Sequence, residues 1–180
     1  MSIPEFVPFN KIPRLNREVV VTEKIDGTNA TILITEDLQI LAGSRSKWLQ
    51  VGKATDNYGF ALWCADNRDD LLKLGVGTHR GEWYGQSINR NYGLDHRRFA
   101  LFNSSIDPAL VPNCCEVVPV LWKGFFEYMR PKEIVDELLE NGSCAVHGFM
   151  NPEVIVIFHT ATNSYFKKTC VKDEHWKGPK

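Results

Sequence analysis

The chain has 180 residues, of which 43% are hydrophobic, 11% aromatic and 24% charged. That is ordinary globular composition, enough for roughly one domain with a core of its own, and it excludes a disordered chain. Lysine plus arginine number 21 against 22 acidic residues, for a formal net charge of -1, which excludes a uniformly basic nucleic-acid coat but leaves room for a local basic groove.

In chain order the start, MSIPEFVPFNKIPRL, lacks the basic and apolar regions of a signal peptide, and no apolar run is long enough to span a bilayer. Strands are expected at Val19 to Val21 with Ile25, at Ala30 to Thr35 and at Gln39 to Ala42, separated by DG and ED turns. A helix is expected over about Tyr58 to Leu74, from Phe60, Trp63, Cys64, Leu71 and Leu74 at mixed three-and-four spacing. Further strands are expected at Thr78 to Tyr84, Phe99 to Phe102 and Glu116 to Trp122. A second helix follows at Pro131 to Glu140, with proline in the first turn, one face made by Ile134, Val135, Leu138 and Leu139, and Asn141-Gly142 as the stop. Val154 to Phe158 and Tyr165 to Cys170 close the series. Many strands with two interposed helices predict an α+β fold of mostly antiparallel sheets packed with a few helices. No repeat or linker divides residues 1–180, so a single domain is expected.

The five cysteines (64, 114, 115, 144 and 170) form no CxxC pair. They read as reduced thiols of a cytoplasmic protein. The five histidines show no HxxxH spacing, so no built-in metal cage is expected.

Six short segments could carry chemistry. In Glu23-Lys24-Ile25-Asp26-Gly27-Thr28-Asn29 a lysine ends an apolar strand two residues before an Asp-Gly turn. Held in a cleft, such a lysine becomes nucleophilic; on an open hairpin it is a surface charge. Ser44-Arg45-Ser46-Lys47 suits phosphate or ribose contacts, since a guanidinium fork binds two oxygens, or is a solvated basic turn. Glu82, in Gly81-Glu82-Trp83-Tyr84-Gly85, stands on a strand between glycines that let a ligand approach. An aromatic of Phe99-Ala100-Leu101-Phe102 is either core or a platform for a base. Glu153 stands at the mouth of a buried strand, where a metal or ribose contact fits. Lys167-Lys168 is a lysine pair on the last strand. Gly75 to Gly81 is no dinucleotide loop: its third glycine is one place late and a strand follows.

Taken in order, KxDGxN, SR, GEWYGQ, FALFN, PEVIVIFH and FKKT resemble the motif set of the covalent nucleotidyltransferases, the superfamily of ATP-dependent ligases and mRNA capping enzymes. The form EKIDGTN resembles the RNA ligase branch, and GSRSKWL, ATDNYGFA, NYGL and RRFALFN resemble small ligase-like proteins of phages, which points to RNA repair. The resemblance runs from Glu23 to Lys168 and implies a ligase-type nucleotidyltransferase domain. Lys24 would attack the α-phosphorus of ATP and become a lysyl-N-AMP. Glu23, Ile25, Asn29, Arg45, Glu82, Phe102, Lys167 and Lys168 would form the nucleotide site. Within it, Glu82 would hold a ribose hydroxyl, Phe102 (or else Phe99) would stack on adenine, and Lys167 would hold the α-phosphate. Glu153 and Asp26 would serve magnesium or manganese, which needs only one or two carboxylates. RNA or DNA ends would meet Arg45, Lys47, Arg90, Arg97 and Arg98.

Three positions depart from the family pattern: Val154 stands where glycine is usual, Thr169 where a second lysine is usual, and Lys47 where a second arginine is usual. The implied activity is an ATP-dependent RNA ligase; a DNA nick ligase and a degenerate nucleotide- or end-binding module with weak adenylylation are the alternatives. Nothing after Lys168 is long enough for an OB-type domain, so a partner protein supplying one is a further expectation.

Overall fold

A computed structural model describes residues 3–52 and 55–169. The expected α+β class is what the chain adopts. Among the described residues nine strands form two sheets: β1 (Glu18–Lys24), β2 (Thr28–Ile34), β3 (Ile40–Gly43), β4 (Gly77–Gly85), β5 (Arg97–Leu101), β6 (Cys115–Val117), β7 (Val120–Phe125), β8 (Val154–His159) and β9 (Ser164–Thr169). The first sheet has the order β7-β1-β8-β9 and is antiparallel throughout. The second has the order β3-β2-β4-β5-β6, antiparallel except for the parallel pair β5–β6. The expected end of the last strand, Cys170, lies outside the described residues, as does His175.

Each sheet buries one face. On β1 and β8, Val19, Val21, Ile155 and Ile157 pack against Ile134, Val135 and Leu138 of α3 (Arg130–Asn141). Pro131 sits in the first turn of that helix and Gly142 ends it, as the sequence predicts; Leu139, expected on the buried face, is exposed. On the second sheet, Ala30, Ile32, Trp83, Phe99 and Leu101 pack against Phe60 and Cys64. The rings of Phe60, Trp63, Trp83 and Phe99 lie 5.1 to 5.8 Å apart. Such pairs add to the area they bury.

Two expected elements are broken, each for a local reason. The helix expected over 58–74 is α1 (Phe60–Asp66), α2 (Arg68–Leu71) and a 3-10 turn (Leu72–Leu74). Asn57, Tyr58 and Gly59 all have positive φ, so no helix starts before Phe60. Asn67 stops the first helix by hydrogen-bonding back to Trp63 O through both its side chain and its amide. The strand expected over 116–122 is split by Pro119, which has no N–H for a ladder. Its first half, β6, joins the second sheet and its second half, β7, the first. At that crossing Val118 N–H donates to Leu101 O and Glu23 N–H to Pro119 O, so one short segment ties the sheets together. Ile25 lies just past β1 in a third cluster with Tyr84, Tyr92, Ala100 and Val118. This cluster joins the sheets where β1 turns into β2.

Candidate active site

The turn Ile25–Gly27 carries the chain from the first sheet to the second. On β1, Val19, Val21 and Glu23 face α3, so alternation puts Lys24 on the opposite face with Val20 and Thr22. On β4, Trp83 faces the aromatic core, so Glu82 faces the other way. These two faces meet at the turn. Gly27 N–H donates to Glu82 Oε1 at 3.1 Å, and Asn29 Nδ2 donates to Glu82 Oε2 at 3.1 Å. Gly27 has no room for a side chain: a Cβ there would stand 2.4 Å from Trp83 O.

Lys24 Nζ donates to Glu153 Oε2 at 2.6 Å, across the mouth of β8. Neither side chain is buried outright, at 33% and 25% exposure. Glu82 is buried, and its carboxyl is raised to about 7. Burial is the cause; the Lys24 charge and the bonds from Gly27 and Asn29 oppose it, and the Glu153 charge adds to it. A lysine, a carboxylate of altered acidity and a second carboxylate thus lie within electrostatic reach of one another, a combination that marks candidate functional sites.

Phe102 follows β5 and extends the ladder by one bond, its N–H donating to Arg80 O at 2.9 Å. That register places it on Glu82's side of the sheet, 40% exposed, as an open ring platform. Phe99, the other aromatic considered, is fully buried in the core and is no platform. Arg45 and Lys47 are exposed in the turn after β3, which is closed by Ser44 N–H donating to Lys47 O. Gly43 pairs with Thr31, so this turn stands at the same end of the sheet as Asn29. Lys167 pairs with Val156 and lies on the Lys24 face; Lys168 pairs with Ile155 and lies on the α3 face.

Other expected site residues have different work. The Glu23 carboxylate is buried and accepts from Ser143 Oγ (2.6 Å), Cys144 N–H (2.7 Å) and Ala145 N–H (2.9 Å), so it holds the loop after α3. Ile25 is core. Asp26 accepts from Asn89 Nδ2 and Arg90 Nε at 3.0 Å each, which occupies both its oxygens. Arg97 donates to Gln86 O, and Arg98 pairs with Glu116 at 3.1 Å. Of the five basic residues expected to meet RNA or DNA ends, Arg45 and Lys47 are exposed, while Arg90, Arg97 and Arg98 are partly buried and make internal bonds. Asn89 and Tyr92, the latter within the NYGL word, have no role assigned from the sequence; Tyr92 Oη accepts from Asp26 N–H at 2.7 Å. Among the described residues, no group of three or more His, Cys, Asp or Glu is placed to hold a metal, and no helix is long and apolar enough to cross a membrane.

The two sheets meet at the KxDG turn, where Glu153 bonds Lys24 and Glu82 bonds the turn, and this fold matches the nucleotidyltransferase fold of RNA ligases. Residues 17–164 match the family model described as RNA ligase, and the chain belongs to that family. No curated protein is significantly similar to it. Among solved structures, the chain is similar to Naegleria gruberi RNA ligase. An arginine-to-alanine mutant of that ligase with ATP and Mn matches with TM-score 0.63 and 19% identity over 87% of this chain and 51% of the other. A lysine-to-methionine mutant with AMP and Mn gives 0.62 and 19% over 86% and 50%. An apo mutant gives 0.61 and 18% over 93% and 57%. The chain thus spans about half the length of these ligases, and the likeness establishes the fold.

Proposed function

We propose that this chain adenylylates itself on Lys24 as the first step of ATP-dependent RNA ligation. The observation that carries the reading is the Lys24–Glu153 pair at 2.6 Å, facing the buried Glu82 where the two sheets meet. Lys24 first sheds a proton to solvent, which leaves the adjacent Glu153 carboxylate free of it for the cation. The free amine then attacks the α-phosphorus of ATP. A P–N bond forms, the bond from that phosphorus to the bridging oxygen breaks, and pyrophosphate leaves. AMP next passes from Lys24 to an RNA 5′-phosphate, and a 3′-hydroxyl displaces it to form the phosphodiester. Such transfers need mainly in-line placement and neutralised charge.

The residues support that use. Glu82 is fixed by Gly27 and Asn29 where it can accept a ribose hydroxyl. Phe102 offers a ring for adenine on the same side of the sheet, and Lys167 offers a cation on the Lys24 face. Arg45 and Lys47, exposed at the end of the sheet, suit the incoming strand. The Naegleria ligases were solved with ATP or AMP and Mn, and a divalent cation fits this chain through Glu153. Among the described residues the Glu153 carboxylate bonds to Lys24 alone, whereas each Asp26 oxygen already accepts a bond, from Asn89 and from Arg90. Bound there, magnesium or manganese would neutralise phosphate charge while keeping most of its waters. Thr169 on the Lys24 face favours a second reading, an end-binding module that adenylylates poorly.

Incubation with α-labelled ATP and magnesium decides between the readings. Label on Lys24 that survives alkali and is released by acid, the behaviour of a phosphoramidate, is the expected result. Label from GTP alone overturns the ATP assignment, and no label leaves the end-binding module.

A further inference from the structure

The segment between β4 and β5 holds unusual backbone. Ser87, Asn89, Asn91, Tyr92 and Gly93 all have positive φ, at 62°, 42°, 60°, 54° and 67°. Four of the five carry side chains, for which this region is unfavourable, most of all for a bulky aromatic. Such backbone persists only where its surroundings hold it. Here the hold is on the turn that follows Lys24. Tyr92 is buried, its ring 4.5 Å from Phe149 and 5.4 Å from Tyr84, and its hydroxyl accepts from Asp26 N–H. Asn89 Nδ2 donates to Asp26 Oδ1 at 3.0 Å and to Gly27 O at 2.6 Å.

Arg90 reaches further. Its Nε donates to Asp26 Oδ2 at 3.0 Å, and its Nη1 donates to Asn151 O at 3.0 Å. Asp26 stands two residues after Lys24, and Asn151 two residues before Glu153. One guanidinium therefore spans the two segments that carry the Lys24–Glu153 pair.

We propose that Arg90 is a positioning residue that fixes Lys24 and Glu153 relative to each other through Asp26 and Asn151. This rests on Lys24 being the nucleophile, and it assigns Arg90 to the adenylylation step rather than to the RNA strand. Placement of this kind governs rate when the attacking atom must lie in line. Lysine is no replacement, because a compact ammonium lacks the fork that spans two separated acceptors.

The test uses the full chain with Arg90→Lys and Arg90→Ala. Both variants are expected to lower the adenylylation rate about ten- to a hundredfold, with KM for ATP within about twofold of wild type. Asp26→Asn is expected to cause a comparable loss, and the double variant Asp26→Asn/Arg90→Ala to lose little more, since both remove one linkage. The salt slope of RNA binding should stay that of wild type. A slope lowered by about 0.7 to 0.9, the value of one phosphate contact, or additive losses in the double variant, would overturn the proposal. Hydrogen exchange supplies a readout independent of activity. In Arg90→Ala the amides of Asp26 and Gly27 should exchange at least about tenfold faster, while Ile32 and Trp83 keep their protection. Unchanged protection at Asp26 and Gly27 overturns the linkage even if no adenylate forms. Absence of adenylate in wild type instead overturns the proposed function alone.

Discussion

Lys24 and Glu153 stand 129 positions apart in the chain, yet their side chains meet at 2.6 Å. β1 and β8 lie side by side, and Lys24 pairs in register with Val154. The pair is partly exposed, so its contribution to stability is small, at most about 1 kcal/mol. Its consequence is chemical. Lys24→Ala is expected to abolish label from ATP, and Lys24→Arg to do the same, because a guanidinium stays protonated and has no free lone pair. Glu153→Gln should cut labelling at least a hundredfold while shifting unfolding by less than about 1 kcal/mol. Wild-type labelling by Lys24→Ala places the nucleophile elsewhere; wild-type labelling by Glu153→Gln reduces that residue to a polar strand end.

Glu82 predicts a pH dependence of stability. Its carboxyl is raised from 4.5 to about 7, first by burial. Between those values the folded chain holds a proton that the unfolded chain has released. Stability attributable to Glu82 is therefore complete below about pH 4.5 and is lost as pH climbs through 7. At 1.36 kcal/mol per pH unit the full loss is about 3 kcal/mol. Glu82→Gln removes the titration, so the difference between wild type and variant in denaturant unfolding should change across pH 4.5 to 7.5. A parallel pair of curves would show that Glu82 ionises normally.

Gly27 tests the join between the sheets. A methyl group here would meet Trp83 O at 2.4 Å and Tyr84 Cβ at 2.8 Å, both parts of β4 with little freedom to yield. Gly27→Ala is expected to destabilise by about 1 to 3 kcal/mol, as overpacked cores do. It should also weaken adenylylation, because Glu82 loses its fixed distance from the turn. Stability within about 0.5 kcal/mol of wild type would mean that the turn relaxes without strain.

The strands were legible in the sequence because each rests on local pattern, an apolar run closed by a turn; Lys24, Glu82 and Glu153 were singled out by the order of their motifs, and their roles are the proposal made above. What was not legible depends on partners far along the chain. Arg90 reads as a free cation in INRNYGL until the fold brings it to Asp26, 64 residues earlier. Pro119 was a visible warning that 116–122 is two strands, since proline lacks the ladder donor. Glu23 also carried a signal: neighbours on a strand point to opposite faces, so Glu23 and Lys24 cannot line one cleft. Asn67 gave weaker notice, because an asparagine side chain competes with the helix ladder without by itself ending a helix.

The same alternation separates the two lysines of β9. Lys24, Val154 and Thr169 stand in one row across the first sheet, and Thr22, Val156 and Lys167 in the next. Lys168 shares its row with Ile155 and Glu23, on the face covered by α3. Lys167→Ala should therefore lower adenylylation about ten- to a hundredfold, the size of one lost charge-assisted contact, and Lys168→Ala should stay within about twofold of wild type. Thr169 lies in the row of Lys24 itself, two strands away or about 10 Å across the sheet. A lysine there would reach toward the phosphate that Lys24 is proposed to attack. Thr169→Lys is accordingly expected to restore part of the rate lost in Lys167→Ala, measured as single-turnover label from ATP at saturating magnesium. Equal losses from Lys167→Ala and Lys168→Ala would mean that β9 does not present one face to the nucleotide. Failure of Thr169→Lys to rescue, with the Lys167 effect intact, would place the α-phosphate nearer the row of Thr22 than the row of Lys24.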